Sequence, residues 1–398
     1  MRVIIATRVF SPEVSAASGI LRTWAEEFHR KRHHVEVYTV KPPRGLQLDD
    51  PPGVKVRRAP VKRDKQHYVR GYLSYLSFDL PLLARLLFAR RPDIYIVEPP
   101  PTSVAVVRVV AAIKRRPYAV RAADYWTDAA EVIVKSKLII NTLRRIEAWG
   151  LQGAAVLFAA HEPLAGRLRA AGVTSRAMPI GFGADTRAFH YDNQEPPATP
   201  VFVYAGTHAS WHGAGIFVEA LARIVHQFPS AKLLYYGTGE EREPMMTRVA
   251  ELGLDNHVEF HAPIPPASLA PILASATASV ASLAPVGANA YAVATKVYAS
   301  LACGTPVIFA GIGPTDELLA SFGDNLAGVA VPFDADAVAV AMTDAARAPL
   351  RSSERKRLAI EASSRHSLNA IAEIVVAEAD RVAHIRTRPS RIRSKYSE

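Results

Sequence analysis

Short apolar runs alternate with helically spaced segments throughout the first half of the chain. The runs have the composition of strands buried on both faces of a parallel sheet, and turn residues separate them from the helical patterns. The predicted strands are residues 2–7, 34–40, 55–60, 94–97, 118–122 and 154–159, with a short strand and loop at 178–185. The predicted helices are 20–30, 78–90, 102–114, 137–150 and 161–169. This alternation predicts a doubly wound, Rossmann-like α/β domain over residues 1–190.

The same alternation restarts after residues 191–199, a polar stretch with prolines that has the composition of a linker. The predicted strands are 200–205, 231–236, 257–260, 278–283, 307–309 and 329–331, and the predicted helices are 214–228, 241–252, 269–274, 335–346 and 368–383. We expect a second α/β domain over residues 200–365. Residues 366–398 are expected to form a helix that returns to the first domain, followed by a basic tail. A chain of 398 residues is long enough for two such cores.

One stretch of the second half, residues 294–311 (ATKVYASLACGTPVIFAG), combines a lone cation with a helix that leads into a strand. In a parallel sheet the loop before such a helix lies at the carboxyl edge, where backbone N–H groups and the positive end of the helix attract phosphate. Lys296 is predicted to stand at that mouth. The loops that begin at Gly206 and Gly237 leave strands at the same edge, so we expect all three loops to converge.

Polar and aromatic side chains follow the predicted strand at 118–122, in the order Ala123-Asp124-Tyr125-Trp126-Thr127-Asp128. Carboxylates at the carboxyl end of a strand are where α/β proteins place chemistry, and aromatic faces suit stacking on a sugar or a base. Asp124 either takes part in such chemistry or caps the next helix, and Asp128 is predicted to cap. The helix at 137–150 is expected to present Glu147 on a solvated face.

Two further residues of the first half have both a functional and a structural interpretation. Gly19 ends the predicted loop at 10–19 and either contacts a phosphate or sugar or serves only a turn, because one glycine is not a dinucleotide-binding fingerprint. His161 follows the strand at 154–159 and is either a base or a ligand to a hydroxyl, or else a helix cap or a surface residue.

Composition restricts the partners of the protein. The formal net charge is +11, with the excess of Arg and Lys mostly in the first half and the C-terminal tail. This charge favours an anionic membrane face, a phosphorylated substrate or nucleic acid. No interleaving of aromatic and basic residues and no zinc-ligand spacing supports nucleic acid, so we expect no nucleic-acid partner.

Composition also bears on the compartment. The single cysteine, Cys303, excludes an intramolecular disulfide framework and suits a reducing environment. The apolar run at residues 3–6 is too short for a signal peptide, so a cytoplasmic protein is predicted. Residues 261–295 carry no formal charge, but five prolines interrupt them, and we expect buried globular structure rather than a membrane span.

Five segments give the chain a resemblance to a known family. They are Phe10-Ser11-Pro12-Glu13 with Gly19, residues 98–101, Ala123-Asp124-Tyr125-Trp126, Tyr236-Gly237-Thr238-Gly239 and residues 294–308. In these segments the chain resembles the retaining GT-B glycosyltransferases of family four, particularly the branch that builds bacterial surface polysaccharides. The resemblance covers nearly the whole chain. It implies two Rossmann-like domains with an interdomain cleft, the nucleotide sugar held mainly by the second domain and the acceptor by the first.

The resemblance also implies roles for single residues. Lys296 is expected beside the donor diphosphate, Asp124 beside the acceptor or the reacting sugar, and Trp126 and His161 on the acceptor side. The residues expected to bind the donor are Gly19, Gly206, Thr207, His208, His212, Gly237, Gly239, Thr295 and Tyr298. The family needs no metal, so no metal is expected. No cofactor is expected either, because the nucleotide sugar is a substrate. The expected acceptor is a glycan, a lipid-linked molecule or another anionic compound, met at the inner face of the membrane.

Four positions depart from the family pattern. Its two glutamates fall on Tyr291 and Ala299 in this chain, and its phosphate-binding arginine and lysine fall on Thr207 and His212. Ala299 cannot bind ribose hydroxyls as a glutamate does. His208 and His212 would replace the lost cations if they were protonated.

Three explanations of these departures stay open. The donor is bound differently, with Tyr298 or Tyr291 near the nucleotide; the donor itself is unusual; or the domain has lost catalysis and kept binding. The alternatives to a transferase are therefore a non-catalytic glycosyltransferase-like binding subunit and a sugar-nucleotide epimerase. A dinucleotide dehydrogenase is disfavoured, because the chain has no GxGxxG followed by an acidic ribose partner.

Overall fold

The computed structural model describes residues 1–13, 15–43, 45–64, 69, 71–133, 136–195, 197–285 and 293–385. Tyr291 and the predicted basic tail from residue 386 lie outside this description. The chain divides into two compact units, Met1–Gly181 with the segment that begins at Asn369, and Phe182–Leu368. The division lies earlier in the chain than the predicted linker at 191–199.

The first unit is built on a seven-stranded parallel sheet with the order β3-β2-β1-β4-β5-β6-β7. The strands are β1 Arg2–Ala6, β2 His34–Val40, β3 Lys55–Ala59, β4 Ile94–Val97, β5 Tyr118–Ala122, β6 Val156–Ala159 and β7 Ala177–Pro179. The helices are α1 Ala16–Arg30, α2 Tyr72–Phe88, α3 Pro101–Ile113, α4 Trp126–Ile133, α5 Lys137–Gln152, α6 Glu162–Ala170 and the last helix of the chain, α14 Leu368–Ile385.

The strand order of this sheet reverses between β1 and β4, which is where doubly wound folds form a crevice at the carboxyl edge. All four residues of β4 are fully buried, as its continuous apolar run predicts for a central strand. The neighbouring strand β5 is also buried but contains one charged residue, Arg121. Arg121 forms an ion pair with Glu98, which directly follows β4. Thr7, just past β1, donates to the same Glu98 carboxylate at 3.1 Å.

Two predictions about helix starts are wrong. Helix α1 begins at Ala16 because the Ser15 side chain accepts from the Ser18 N–H, so Gly19 lies inside the first turn of α1 rather than in a loop. Helix α4 is capped neither by Asp124 nor by Asp128. The Glu147 carboxylate of α5 accepts from the first two N–H groups of α4, at 2.8 and 2.9 Å. Glu147 is accordingly buried, not solvated as expected.

The second unit is built on a six-stranded parallel sheet with the order β10-β9-β8-β11-β12-β13. The strands are β8 Val201–Ala205, β9 Lys232–Tyr236, β10 Val258–His261, β11 Ala278–Ser282, β12 Val307–Ala310 and β13 Gly328–Val331. The helices are α7 Ile216–Ile224, α8 Arg242–Glu251, α9 Pro266–Ser275, α10 Lys296–Ala302, α11 Pro314–Ala320, α12 Ala335–Arg347 and α13 Ser352–Arg365.

The uncharged stretch of the second unit is globular where it is described, since it forms α9 and the fully buried β11. Cys303 is buried beside it. None of the helices in the described part of the chain combines the length and the apolar composition that a membrane span requires.

Candidate functional site

Three loops of the second unit meet at the carboxyl edge of its sheet, as the sequence predicts. A Cβ atom added to Gly206, after β8, would lie 2.9 Å from the Lys296 Nζ atom at the start of α10. A Cβ on Gly237, after β9, would lie 1.9 Å from the Gly206 carbonyl oxygen, and one on Gly239 would lie 2.3 Å from the His208 carbonyl oxygen. Close approach of backbone atoms therefore requires glycine at Gly237 and Gly239, whereas a side chain at Gly206 would displace the end of the Lys296 side chain.

Lys296 brings a cation to this junction. Its side chain is half-buried, and its Nζ atom donates to the Tyr204 hydroxyl at 2.5 Å and lies 3.9 Å from the centre of the Tyr204 ring. Burial lowers the pKa of Lys296 to about 7. Within the described residues no carboxylate forms an ion pair with this ammonium. The cation is thus held by a tyrosine, and no carboxylate of the described ranges lies beside it.

The Tyr204 hydroxyl links the lysine to the first loop. It donates to the Thr207 carbonyl oxygen at 2.9 Å, and His212 Nδ1 lies 2.8 Å from the same oxygen. A carbonyl can only accept, so Nδ1 of His212 carries the proton and Nε2 keeps its lone pair. Burial, with a contribution from Lys296, lowers the pKa of His212 to about 4. At neutral pH His212 is therefore a neutral ring with a free acceptor.

His208 belongs to the first loop, but its side chain is enclosed by the core. It is fully buried, with its ring centre 5.7 Å from that of Tyr204 and 5.6 Å from that of Tyr235. Burial, reinforced by Arg242 and Lys296, lowers the pKa of His208 to about 4. The lowered pKa values of His208 and His212 argue against the hypothesis that these residues replace the family's missing phosphate cations at neutral pH, and a role for them in donor binding stays a prediction. The cations at the junction include Lys296 and Arg242, whose Nη1 atom donates to the Gly237 carbonyl oxygen at 3.0 Å.

The other predicted donor residues on α10 occupy different surroundings. Thr295 precedes the helix at the N-cap position, but its side chain makes no capping hydrogen bond. Tyr298 is 7% exposed, and its ring packs against Phe182 at 6.3 Å and His366 at 5.1 Å. Ala299 is half-buried and packs against the small apolar cluster that contains Cys303. A nucleotide contact by Tyr298 stays a prediction.

The first unit collects charged groups at the carboxyl edge of its own sheet. Asp124, half-buried after β5, makes no side-chain hydrogen bond to any described residue. Burial raises the pKa of Asp124; Arg121 opposes this, while Glu98 and Asp128 add to it. Since Glu147 caps α4, the capping interpretation of Asp124 is wrong. Its carboxylate is left for other chemistry.

The predicted acceptor-side residues have the following contacts. The Trp126 ring lies 6.0 Å from that of Tyr75 in an edge-to-face arrangement, and the Arg8 guanidinium stacks on Tyr75 at 4.2 Å. His161 caps α6, because its Nδ1 accepts from the Leu164 N–H at 3.1 Å. This contact supports the structural interpretation of His161 and leaves the acceptor role a prediction.

Asp128 does not cap a helix as predicted. It forms a two-pronged ion pair with Arg167, at 2.9 and 2.7 Å. In the described ranges, no three His, Cys, Asp or Glu side chains lie together as metal ligands would.

Several residues of these junctions escaped the sequence analysis. Tyr204 is the last residue but one of an apolar strand and looks like a core residue, although a tyrosine so close to a glycine loop is a usable signal. Arg121 is a charged residue in an otherwise apolar strand, which signals a buried partner such as Glu98. Arg8 and Tyr75 carry no such signal, because they lie 67 positions apart.

Comparisons with known proteins agree with this architecture. The family described as "Glycosyl transferase 4-like domain" matches residues 18–183, and "Glycosyl transferases group 1" matches residues 199–347. Among curated proteins, none matches the sequence.

Solved structures share the fold at low sequence identity. Sucrose-phosphate synthase from Thermosynechococcus elongatus has a TM-score of 0.73 and 19% identity, over 96% of this chain and 99% of that one. Anabaena HepE in complex with UDP-glucose has a TM-score of 0.69 and 16% identity, over 96% and 99%. WaaG, a glycosyltransferase involved in lipopolysaccharide biosynthesis, has a TM-score of 0.67 and 16% identity, over 95% and 99%. The matched domains account for most of the chain and the fold agrees throughout, so the protein belongs to the glycosyltransferases of the GT-B fold.

Proposed function

We propose that the protein transfers a sugar from a nucleoside diphosphate sugar to an acceptor hydroxyl, with retention of the anomeric configuration and without a metal ion. The observation that carries the proposal is the Lys296 ammonium, desolvated where the three loops of the second unit meet and without a carboxylate beside it in the described structure. A desolvated cation without an anion is costly, and a diphosphate supplies the missing negative charge.

In the proposed reaction the bond between the anomeric carbon and the diphosphate oxygen breaks. A bond from that carbon to the acceptor oxygen forms, and the acceptor hydroxyl passes its proton to the proposed acceptor-side carboxylate, Asp124. Negative charge grows on the leaving diphosphate, and a protonated Lys296 stabilises it. A single preorganised donor of this kind typically contributes about 100- to 1000-fold in rate. Because the pKa of Lys296 is about 7, donor binding also completes its protonation.

Asp124 is the proposed carboxylate on the acceptor side. Its pKa is raised, mainly by burial, which suits a group that exchanges a proton, and its side chain has no hydrogen-bond partner among the described residues. The Trp126 ring beside it offers a face on which a sugar can stack. Backbone groups of the loops at Gly206 and Gly237 are the proposed contacts of the diphosphate.

The neighbours suggest where to look for substrates. Anabaena HepE binds UDP-glucose, and WaaG acts in lipopolysaccharide biosynthesis, so UDP-sugars are the first candidate donors and glycans or lipid-linked compounds the first candidate acceptors. The net charge of +11 favours an anionic acceptor. The proposed location is cytoplasmic, at the inner face of the membrane.

The test is release of free nucleoside diphosphate from a panel of nucleotide sugars, with and without a lipid and glycan extract as acceptor. The proteins compared are the wild type, Lys296→Ala and the control Lys356→Ala, which removes an exposed lysine of α13 in the same unit. We expect turnover by the wild type and the control, and at least a 100-fold loss for Lys296→Ala. A thermal shift with nucleotides but no turnover would identify a binding subunit. Interconversion of the donor sugar without an acceptor would identify an epimerase.

A further inference from the structure

Helix α2 of the first unit turns a row of large apolar side chains toward solvent. The row, named here the leucine stripe, consists of Leu73, Leu76, Leu80, Leu87 and Phe88. Their exposed fractions range from 37% at Leu87 to 90% at Phe88. At 100° per residue, the four leucines lie within about 60° of one another around the helix axis. They therefore form one continuous outer face of α2.

The leucine stripe is additional to the face that α2 contributes to the core. That inner face is formed by Phe78, Leu82 and Leu86, which are almost completely buried. A helix that needs only to cover a core carries polar residues on its outer side. Single exposed apolar residues are ordinary in soluble proteins, but a row of five on one helix marks an interaction surface.

An arginine pocket lies where the stripe ends. It has a volume of about 550 Å³ and is lined by Tyr38, Arg57, Arg58, Arg85, Phe88, Ala89 and Arg90. Arg57 and Arg58 are each paired with one carboxylate, Glu36 and Asp50. Arg85 donates to a backbone carbonyl at 2.6 Å, so its charge is not neutralised by that contact. Among the described residues no carboxylate pairs with Arg85 or with the exposed Arg90, so these two charges of the pocket remain in excess.

The other end of the stripe approaches the predicted acceptor side. Leu73 and Leu76 flank Tyr75 on α2, and the Tyr75 ring packs edge-to-face on Trp126 at 6.0 Å. Trp126 in turn lies two positions after Asp124. The apolar face therefore extends about 20 Å along α2, from the arginine pocket to the residues that the proposed transferase uses for its acceptor.

We propose that the leucine stripe and the arginine pocket seat the first unit on an anionic lipid bilayer. The leucines and Phe88 enter the region between headgroups and acyl chains, and the pocket receives a lipid phosphate. Apolar residues beside a cationic site are what an interfacial helix needs for an anionic membrane. A second copy of the chain is a poorer occupant, because it would bring another basic pocket to a basic surface. The same surface would also present a lipid-linked acceptor to Trp126, and this second role rests on the proposed transferase activity.

Flotation of the full-length protein with vesicles tests the membrane contact. Vesicles of phosphatidylcholine alone are compared with vesicles that contain 30% phosphatidylglycerol. The test variant is Leu76→Ser/Leu80→Ser/Leu87→Ser, and the matched control is Val340→Ser/Ile360→Ser/Ile312→Ser, which replaces three exposed residues of the second unit. The C-terminal arginines stay in every protein, so they do not account for a difference between variants.

We expect the wild type and the control to bind the anionic vesicles, and the stripe variant to bind at least tenfold less. Arg90→Gln and added salt should each weaken binding to anionic vesicles, because screening reduces attraction to lipid phosphates. Equal binding by the stripe variant and the wild type would overturn the proposal. The proposal would also be overturned if sedimentation showed a dimer for the wild type and a monomer for the stripe variant while neither protein bound vesicles.

Nucleotide-sugar binding, followed by the thermal shift of the second unit, separates this inference from the proposed function. The stripe variant should keep the wild-type shift, and an unchanged unfolding transition of the first unit shows that the unit carrying the substitutions is folded. Loss of vesicle binding with donor turnover intact supports the membrane contact. If the wild type binds vesicles but turns over no donor, the membrane contact is supported and the proposed transferase activity is refuted.

Discussion

Replacing Lys296 by methionine should stabilise the protein and abolish its proposed activity. Methionine has nearly the length of lysine and no charge, so it fills the same space against the Tyr204 ring without an ammonium to desolvate. In the wild type, burial lowers the pKa of Lys296 from 10.5 to about 7. The folded state therefore releases a proton that the unfolded state keeps at pH 7 to 10.

The sign of the effect follows from this difference. Below pH 7 the lysine is charged in both states, and the folded protein bears the full cost of desolvation. As the pH rises toward 10.5 the cost falls by about 1.4 kcal/mol per pH unit, because only the unfolded state still binds the proton. The shift corresponds to a cost of at most about 4 kcal/mol at pH 7. Since the side chain is half-buried and keeps some water, we expect Lys296→Met to gain about 2 to 3 kcal/mol there.

Denaturant unfolding at pH 6, 7, 8.5 and 10 checks this prediction, with the transition of the second unit compared between variant and wild type. The difference in free energy of unfolding should be largest at pH 6 and shrink steadily toward pH 10. Lys356→Met, at an exposed position of the same unit, should show no such trend. A variant that is less stable than the wild type at pH 7, or a difference independent of pH, would refute a desolvated Lys296.

Three further predictions concern the same elements. The affinity for UDP-glucose should fall as the pH rises above about 7, by up to tenfold per pH unit, because the neutral form of Lys296 loses the attraction to diphosphate. Titration calorimetry of the wild type and Lys296→Met at several pH values checks this, and the affinity of the variant should not change with pH. Gly237→Ala should weaken nucleotide binding at least tenfold by pushing the loops apart at Gly206, whereas Gly215→Ala, with no atom closer than 3.6 Å, should not. Glu147→Leu should lower the free energy of unfolding of the first unit by about 2 to 3 kcal/mol, measured by denaturation, because two N–H groups of α4 lose their acceptor.

The sheets were predictable because parallel strands buried on both faces appear as continuous apolar runs. Every such run in the two halves forms a strand, and the loops at Gly206 and Gly237 and the start of α10 meet as parallel topology requires. What decides a helix start is a single side chain. At α1 that side chain is the local Ser15, and at α4 it is Glu147, which lies twenty residues away and cannot be found by local pattern.

The candidate site was predictable in its residue types more than in its electrostatics. The position of Lys296 after a strand and before a helix indicates a phosphate contact. Its low pKa and the neutrality of His208 depend on what surrounds them in space, chiefly the aromatic rings of Tyr204 and Tyr235. Those rings are drawn from separate strands, and a histidine in a loop sequence gives no sign that it is fully enclosed.

The contact between the loop backbones limits which positions of the proposed donor site can be varied. Gly237 and Gly239 leave no room for a side chain, and a side chain at Gly206 would displace Lys296, so libraries that vary these positions should mostly recover inactive proteins. Thr238 and Ser210 stand on the same two loops with exposed side chains. Changes of sugar preference should therefore be sought at those outward positions, with the glycine framework kept intact.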